Sequence, residues 1–202
     1  KYARKSRGKS WLFAQLIKNE AFQITFINRL CDYLNTTLSA DYVEGLIGEI
    51  HERVKIEKRR DRECWKSELE FMFWGEQVEQ TIDFAEDRPE YLYQEMTKFF
   101  ELPGPANVQL NVNYDGRGVI RFSTLEIAQF PWDGLYMQDI PIQVEAVPLP
   151  GYRFVHWSGV GKLGLESKMT VTLGETNFIK AHFEPALNGA LPEHTAPPRK
   201  IE

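Results

Sequence analysis

The hydrophobic pattern of this chain changes period once, at Leu102-Pro103-Gly104-Pro105. Upstream, apolar residues recur at helical spacing; downstream, they alternate along short runs. Two prolines flanking a glycine suit neither a helix interior nor a strand interior. The break therefore predicts an α+β chain of two segregated domains. Residues 1–102 are expected to form a helical, bundle-like subdomain and 103–107 a linker. Residues 108–185 read as a small all-β module, and 186–202 as a Pro-rich tail.

In the first part, Ser10 is placed to cap a short helix holding Trp11, Leu12, Leu16 and Ile17. Phe22, Phe26, Leu30 and Leu34 recur every fourth residue and draw one stripe, reinforced by Ile27 and Tyr33. Asn35-Thr36-Thr37 stops that helix, because these side chains compete for backbone hydrogen bonds. Ser39 caps a third helix, with Asp41 and Glu44 in its first turn and a stripe of Val43, Leu46, Ile47, Ile50 and Val54. The mixed charges of 55–63 read as a solvated face. A fourth helix carries Trp65, Leu69, Met72 or Phe73, Val78, Ile82 and Phe84 and is expected to stop near Asp87-Arg88. Pro89 then suits the first position of a fifth, with Leu92, Met96, Phe99 and Phe100.

Six strands are expected after the joint. Val108, Leu110, Val112 and Tyr114 alternate, and Asp115-Gly116-Arg117-Gly118 signals a hairpin into 119–127. An aromatic loop follows, with Phe130, Trp132 and Tyr136. Strands are then expected over 140–146, 152–157, 169–173 and 179–183.

The chemistry this chain carries is sparse. Net charge is −5, and both halves hold a small acidic excess, so a nucleic-acid partner is not expected. No apolar run approaches the roughly 20 residues of a membrane helix. Cys31 and Cys64 read as buried free thiols, and no Cys/His pair has metal-ligand spacing. Arg7-Gly8-Lys9-Ser10 ends like a phosphate loop, but Ala3 stands where the first glycine is required. Glu76, Glu79 and Asp83 share a helix face and read as surface carboxylates. His51 is expected to face solvent, and His156 and His182 to be structural strand residues. Ser158 has no nucleophile elbow around it. One set of candidates remains, Trp132, Tyr136 and Trp157, whose rings are able to stack on a sugar or anchor a partner. The competing expectation is that a small β module needs all three rings for its core, with Trp157 mostly buried against the preceding strand beside Val144.

Three stretches carry a family likeness: Trp11-Leu12-Phe13 with Phe22-Gln23-Ile24-Thr25-Phe26-Ile27-Asn28-Arg29-Leu30; Tyr33-Leu34-Asn35-Thr36 with Leu46-Ile47 and Glu49-Ile50; and Asp83-Phe84-Ala85 with Arg88-Pro89-Glu90-Tyr91. In this order and spacing, residues 1–100 resemble the C-terminal part of the CotH kinase family. Three further stretches are Trp132-Asp133-Gly134-Leu135-Tyr136, then 151–159, and Ile179-Lys180-Ala181-His182-Phe183. They resemble divergent internalin-type B repeats of bacterial surface proteins, and that resemblance implies a small β-grasp-like fold for the module. The first resemblance implies that the magnesium-holding acids of the family lie upstream of this segment. No catalytic, cofactor-binding or metal residue is therefore expected here, and ATP and magnesium belong only to an upstream catalytic part. The chain reads as a non-catalytic piece of a longer protein. Its helices would buttress a catalytic half, and its β module would serve adhesion or spacing at a bacterial, extracytoplasmic surface. The alternative is a module that binds polysaccharide or protein through the aromatic loop.

Overall fold

The computed structural model describes residues 11–65, 68–159, 164–174 and 177–186. The basic lead-in with Ser10 and Arg7-Gly8-Lys9-Ser10, the tail beyond 186, and the side chains of Leu69 and Met72 lie outside what is described. The chain is α+β, with four helices and eight strands among the described residues. It divides into two compact units. The first is Lys1–Ala106 with Leu135–Ile140 and Thr172–Gly174; the second is Asn107–Gly134, Pro141–Val171 and Glu175–Glu202.

The first unit contains α1 (Trp11–Leu16), α2 (Glu20–Leu34), α3 (Ala40–Trp65) and α4 (Glu68–Phe100). Asn19 caps α2 by accepting from the Phe22 N–H at 3.0 Å, and Asn35 ends it, as expected. Ser39 receives the Tyr42 N–H at 3.4 Å at the start of α3. Two sequence expectations fail here. Trp65 closes α3 instead of opening the next helix. Pro89 lies inside α4, so the expected fourth and fifth helices are one. An interior proline strips the Ala85 carbonyl of its helical partner and costs about 3 kcal/mol. The helix continues because one stripe runs through the proline: Ala85, Tyr93 and Met96 are buried and Pro89 is half-buried. Packing of that stripe outweighs the local cost.

The strands form two four-stranded sheets and lie mostly in the second unit; Pro105 and Ala106 of β1, Leu135 to Met137 of β4 and Thr172 of β7 belong to the first. They are β1 (Pro105–Val112), β2 (Gly118–Phe122), β3 (Leu125–Ile127), β4 (Trp132–Met137), β5 (Pro141–Pro148), β6 (Tyr152–Gly159), β7 (Lys168–Thr172) and β8 (Asn177–Pro185). One sheet has the order β4-β1-β8-β6, the other β3-β2-β5-β7. The 115–118 turn is thus no hairpin. It carries the chain from one sheet to the other, and β1 instead pairs in parallel with β8. The expected strand 119–127 is itself a hairpin, folded at Ser123-Thr124 with Phe122 opposite Leu125. Ser123 adopts φ 54, a left-handed turn conformation reached without glycine or asparagine. The aromatic loop proves to contain β4. Val108, Leu110, Val112, Ile120, Phe122, Ile142, Val144, Ala181 and Phe183 are all buried and supply the core. The Phe183 ring of one sheet lies so close over Gly118 of the other that a Cβ there would collide with it.

Candidate functional site

The most concentrated arrangement of buried polar groups starts on α2. Its buried face is Ile27, Asn28, Cys31, Asp32 and Leu34, not the expected phenylalanine stripe. Phe22, Phe26 and Leu30 are half-buried and Tyr33 is exposed. Phe22 and Phe26 rest instead on Phe13 of α1, with ring centroids 6.2 and 5.2 Å away. The inner face therefore holds two polar residues one helical turn apart, and each needs a partner.

Asp32 Oδ1 accepts the Tyr136 hydroxyl at 2.6 Å. Asn35 closes on the neighbouring peptide. Its Nδ2 donates to the Leu135 carbonyl at 2.9 Å, and its Oδ1 accepts the Leu135 N–H at 2.8 Å. The Tyr93 hydroxyl adds a second donor to the same carbonyl at 2.7 Å. Side chains of α2 and α4 thus satisfy Leu135 as a strand partner would. Burial pushes the Tyr136 and Tyr93 hydroxyls above their ordinary range, the charge of Asp32 adding to both, so they act as fixed donors. Burial also lifts the Cys31 thiol to about 12. A thiol held there is not a nucleophile. The arrangement is a clasp that ties residues 135–136 to α2 and α4.

Beside the clasp lies a cavity of about 710 Å³, bounded by Leu34, Pro89, Tyr93, Pro103, Pro105 and Leu135. Glu86, Glu90, Gln94 and Lys98 on its rim are exposed, whereas Ser39 and Thr97 are half-buried. A smaller groove of about 340 Å³ runs between α3 and α4 past Ile47, Ile50, Val54 and Val78. His51 lines it, half-buried and stacked on Trp74 at 4.5 Å with rings 3° from parallel. This corrects the expectation of a solvent-facing histidine. The aromatic platform of Trp74 covers one ring face, and no local pattern signals it because the two residues sit on different helices.

The three aromatic candidates have different fates. Tyr136 is fully buried on Asp32. Trp157 is 3% exposed; its indole N–H donates to the Glu166 carbonyl at 3.0 Å and its ring lies 5.3 Å from Phe154. Trp132 is half-buried, 6.4 Å from Phe122, and its indole covers Gly134 closely enough to forbid a Cβ there. Trp132 alone of the three keeps substantial accessible ring. Glu76, Glu79 and Asp83 are exposed, and no group of three metal-capable side chains occurs among the described residues. Cys31 is buried as expected, whereas Cys64 is exposed near the end of α3, a correction to the paired reading.

Sequence reasoning missed the clasp and the histidine pair of the strand unit. The clasp had a faint signal, Asn28 and Asp32 set among apolar residues at helical spacing. The histidine pair had none, since His156 and His182 meet only through the β6–β8 register.

Four helices ending in a long α4, and eight strands, define a mixed α+β protein among the described residues. The helical part is the part with a known likeness: the family model described as CotH kinase protein matches residues 1–92. The match covers the described α1 to α3 and most of α4, and stops before the first strand. No curated protein and no solved structure matches the chain.

Proposed function

We propose that the helical unit is the C-terminal lobe of a CotH-type kinase-like protein, non-catalytic by itself, and that it buttresses a catalytic half. ATP and magnesium belong to that half. The observation that carries this reading is the face of α3. Over 26 residues α3 buries none, and Tyr42, Leu46, Ile50 and Val54, spaced four apart, stay 53%, 45%, 51% and 39% exposed. A regular apolar stripe left in water is the mark of a surface built to be covered. The family match over the same helices supports a CotH-type catalytic half as the chain that covers it.

The test has two arms. The chain is incubated with ATP, magnesium or manganese, and generic acceptor proteins; no turnover is expected. Turnover abolished by a substitution within this chain overturns the non-catalytic reading. In the second arm, Leu46→Glu and Ile50→Glu are introduced together. Stability is expected to move by no more than about 0.5 kcal/mol, as for surface positions. Capture of a CotH-type catalytic half supplied in trans is expected to be lost. Unchanged capture overturns the buttress.

For the strand unit, the reading is a module of the internalin B-repeat kind, serving adhesion or spacing at a bacterial surface. Recognition of polysaccharide or protein through Trp132 is the alternative, supported by its accessible ring. A glycan array separates the two: Trp132-dependent binding selects the alternative.

A further inference from the structure

We propose that His156 and His182 form a chelating pair for a first-row transition-metal ion of the Cu²⁺, Ni²⁺ or Zn²⁺ class, on the outer face of the strand unit. The inference is independent of the proposed kinase lobe. In the antiparallel β6–β8 pairing His156 stands directly opposite His182. Their rings lie 4.2 Å apart and 11° from parallel.

A bulge creates this juxtaposition. Phe154 faces Phe183, and the next registered pair is His156 with His182, so Val155 is the extra residue. In an unbroken ladder Val155 would face His182 and no histidine pair would exist. The bulge also turns both Phe154 and Trp157 toward the core, opposite buried Phe183 and Ala181. Both histidines are left half-buried on the other face.

Imidazole nitrogen suits Zn²⁺, Cu²⁺ and Ni²⁺, and only a neutral ring offers its lone pair. Metal–nitrogen bonds of about 2.0–2.1 Å place two nitrogens of one site roughly 3.0–3.4 Å apart. Rings 4.2 Å apart reach that span by tilting toward one another. The Ser158 hydroxyl sits 2.7 Å from His182 Nε2 and must swing aside to free that nitrogen. Lys180 stands opposite Ser158 and Glu184 is held by Arg153, so neither completes the shell. Two protein nitrogens plus water make an open, readily exchanged site.

The full-length chain, free of any affinity tag, is titrated with Cu²⁺, Ni²⁺ and Zn²⁺ at pH 7.5 by calorimetry. Saturable binding of one ion is expected, with two coupled nitrogens in the Cu²⁺ electron-spin spectrum. His156→Ala and His182→Ala are each expected to weaken binding by more than about 100-fold, beyond the effect of losing an outer-shell partner. Ser158→Ala, which keeps both rings and removes the competing hydroxyl, is expected to bind as well or better. Affinity is expected to fall about tenfold or more at pH 5.5, as protons take the lone pairs. The proposal is overturned by no binding, or by binding that survives both histidine variants and so belongs to His51, His194 or Cys64. A one-nitrogen spectrum overturns it as well. If one variant fails to fold, the other variant and the wild-type spectrum decide.

Discussion

At the scale of single residues, asparagine does the work of backbone in both units. Asn35 clasps the Leu135 peptide in the first. In the second, Asn113 donates from Nδ2 to the Phe183 carbonyl at 2.8 Å and accepts the Phe183 N–H at 2.9 Å, extending the β1–β8 ladder by a side chain. Removing such a residue strands a buried donor, which costs more than the bond itself is worth. Asn35→Ala is expected to destabilise the helical unit by about 1–3 kcal/mol in urea denaturation. Asn35→Asp keeps the acceptor for the Leu135 N–H but sets a carboxylate oxygen against the Cys31 and Leu135 carbonyls, so it should cost no less. His182 supplies a pH dependence. Its folded pKa lies below the ordinary 6.5, so the neutral ring is the form that folding favours. The unfolded state then binds more protons, and the contribution is present above about pH 6.5 and lost as pH falls below it. Denaturation midpoints between pH 7.5 and 5 are expected to fall, and His182→Gln to flatten that slope. Groups facing His182 are His156, Ser158 and Lys180, with the Arg153–Glu184 pair beyond; none is an unpaired carboxylate that would reverse the sign.

At the scale of elements, two local irregularities decide which faces are buried. Pro89 was legible as a helix start, because that is where proline is cheapest. Its position inside α4 was not, because the reason is a stripe that runs past it from Ala85 to Met96. Pro89→Ala is therefore expected to stabilise the chain by about 1–3 kcal/mol in thermal or urea melts, the restored hydrogen bond being offset in part by a freer unfolded chain. A proline at a true helix start would give little change. The bulge in β6 has the same character. Strict alternation puts Phe154 and His156 on one side and Trp157 on the other. The extra residue brings Phe154 and Trp157 to the core together, and their rings meet at 5.3 Å. Trp157→Ala is expected to cost roughly 3–5 kcal/mol and to unfold the strand unit. A melt unchanged by the substitution would count against Trp157 as a core residue.

At the scale of the whole molecule, the units are not two consecutive halves of the chain. The helical unit includes Leu135–Ile140 and Thr172–Gly174, which follow the sequence break by many residues. A segment of residues 1–102 lacks Leu135 and Tyr136, so Asp32 and Asn35 lose the partners they hold in the full chain. Expressed alone, that segment is expected to keep much of its helical circular dichroism, bind apolar dyes and melt with weak cooperativity. The full chain is expected to melt sharply at higher temperature. A cooperative, dye-free melt of 1–102 would mean that the clasp contributes little.

Sequence alone determined what depends on neighbours a few residues away. The change of period at 102–105, the caps at Ser39 and Asn35, the α+β class and most strand positions are local. Propensity and periodicity act over a turn of helix or one strand. Sequence also carried the likeness of the helical part to CotH kinases, because order and spacing are linear properties. Tertiary structure alone decided what depends on partners far along the chain. The inward face of α2 was set by Tyr136 and Leu135, about 100 residues away. The crossing at 115–118 was set by β8, which claims β1 in parallel. The histidine pair was set by a one-residue bulge in a register. In each case the deciding term is a buried polar group or a packed ring finding its partner, and that energy exists only once distant segments meet.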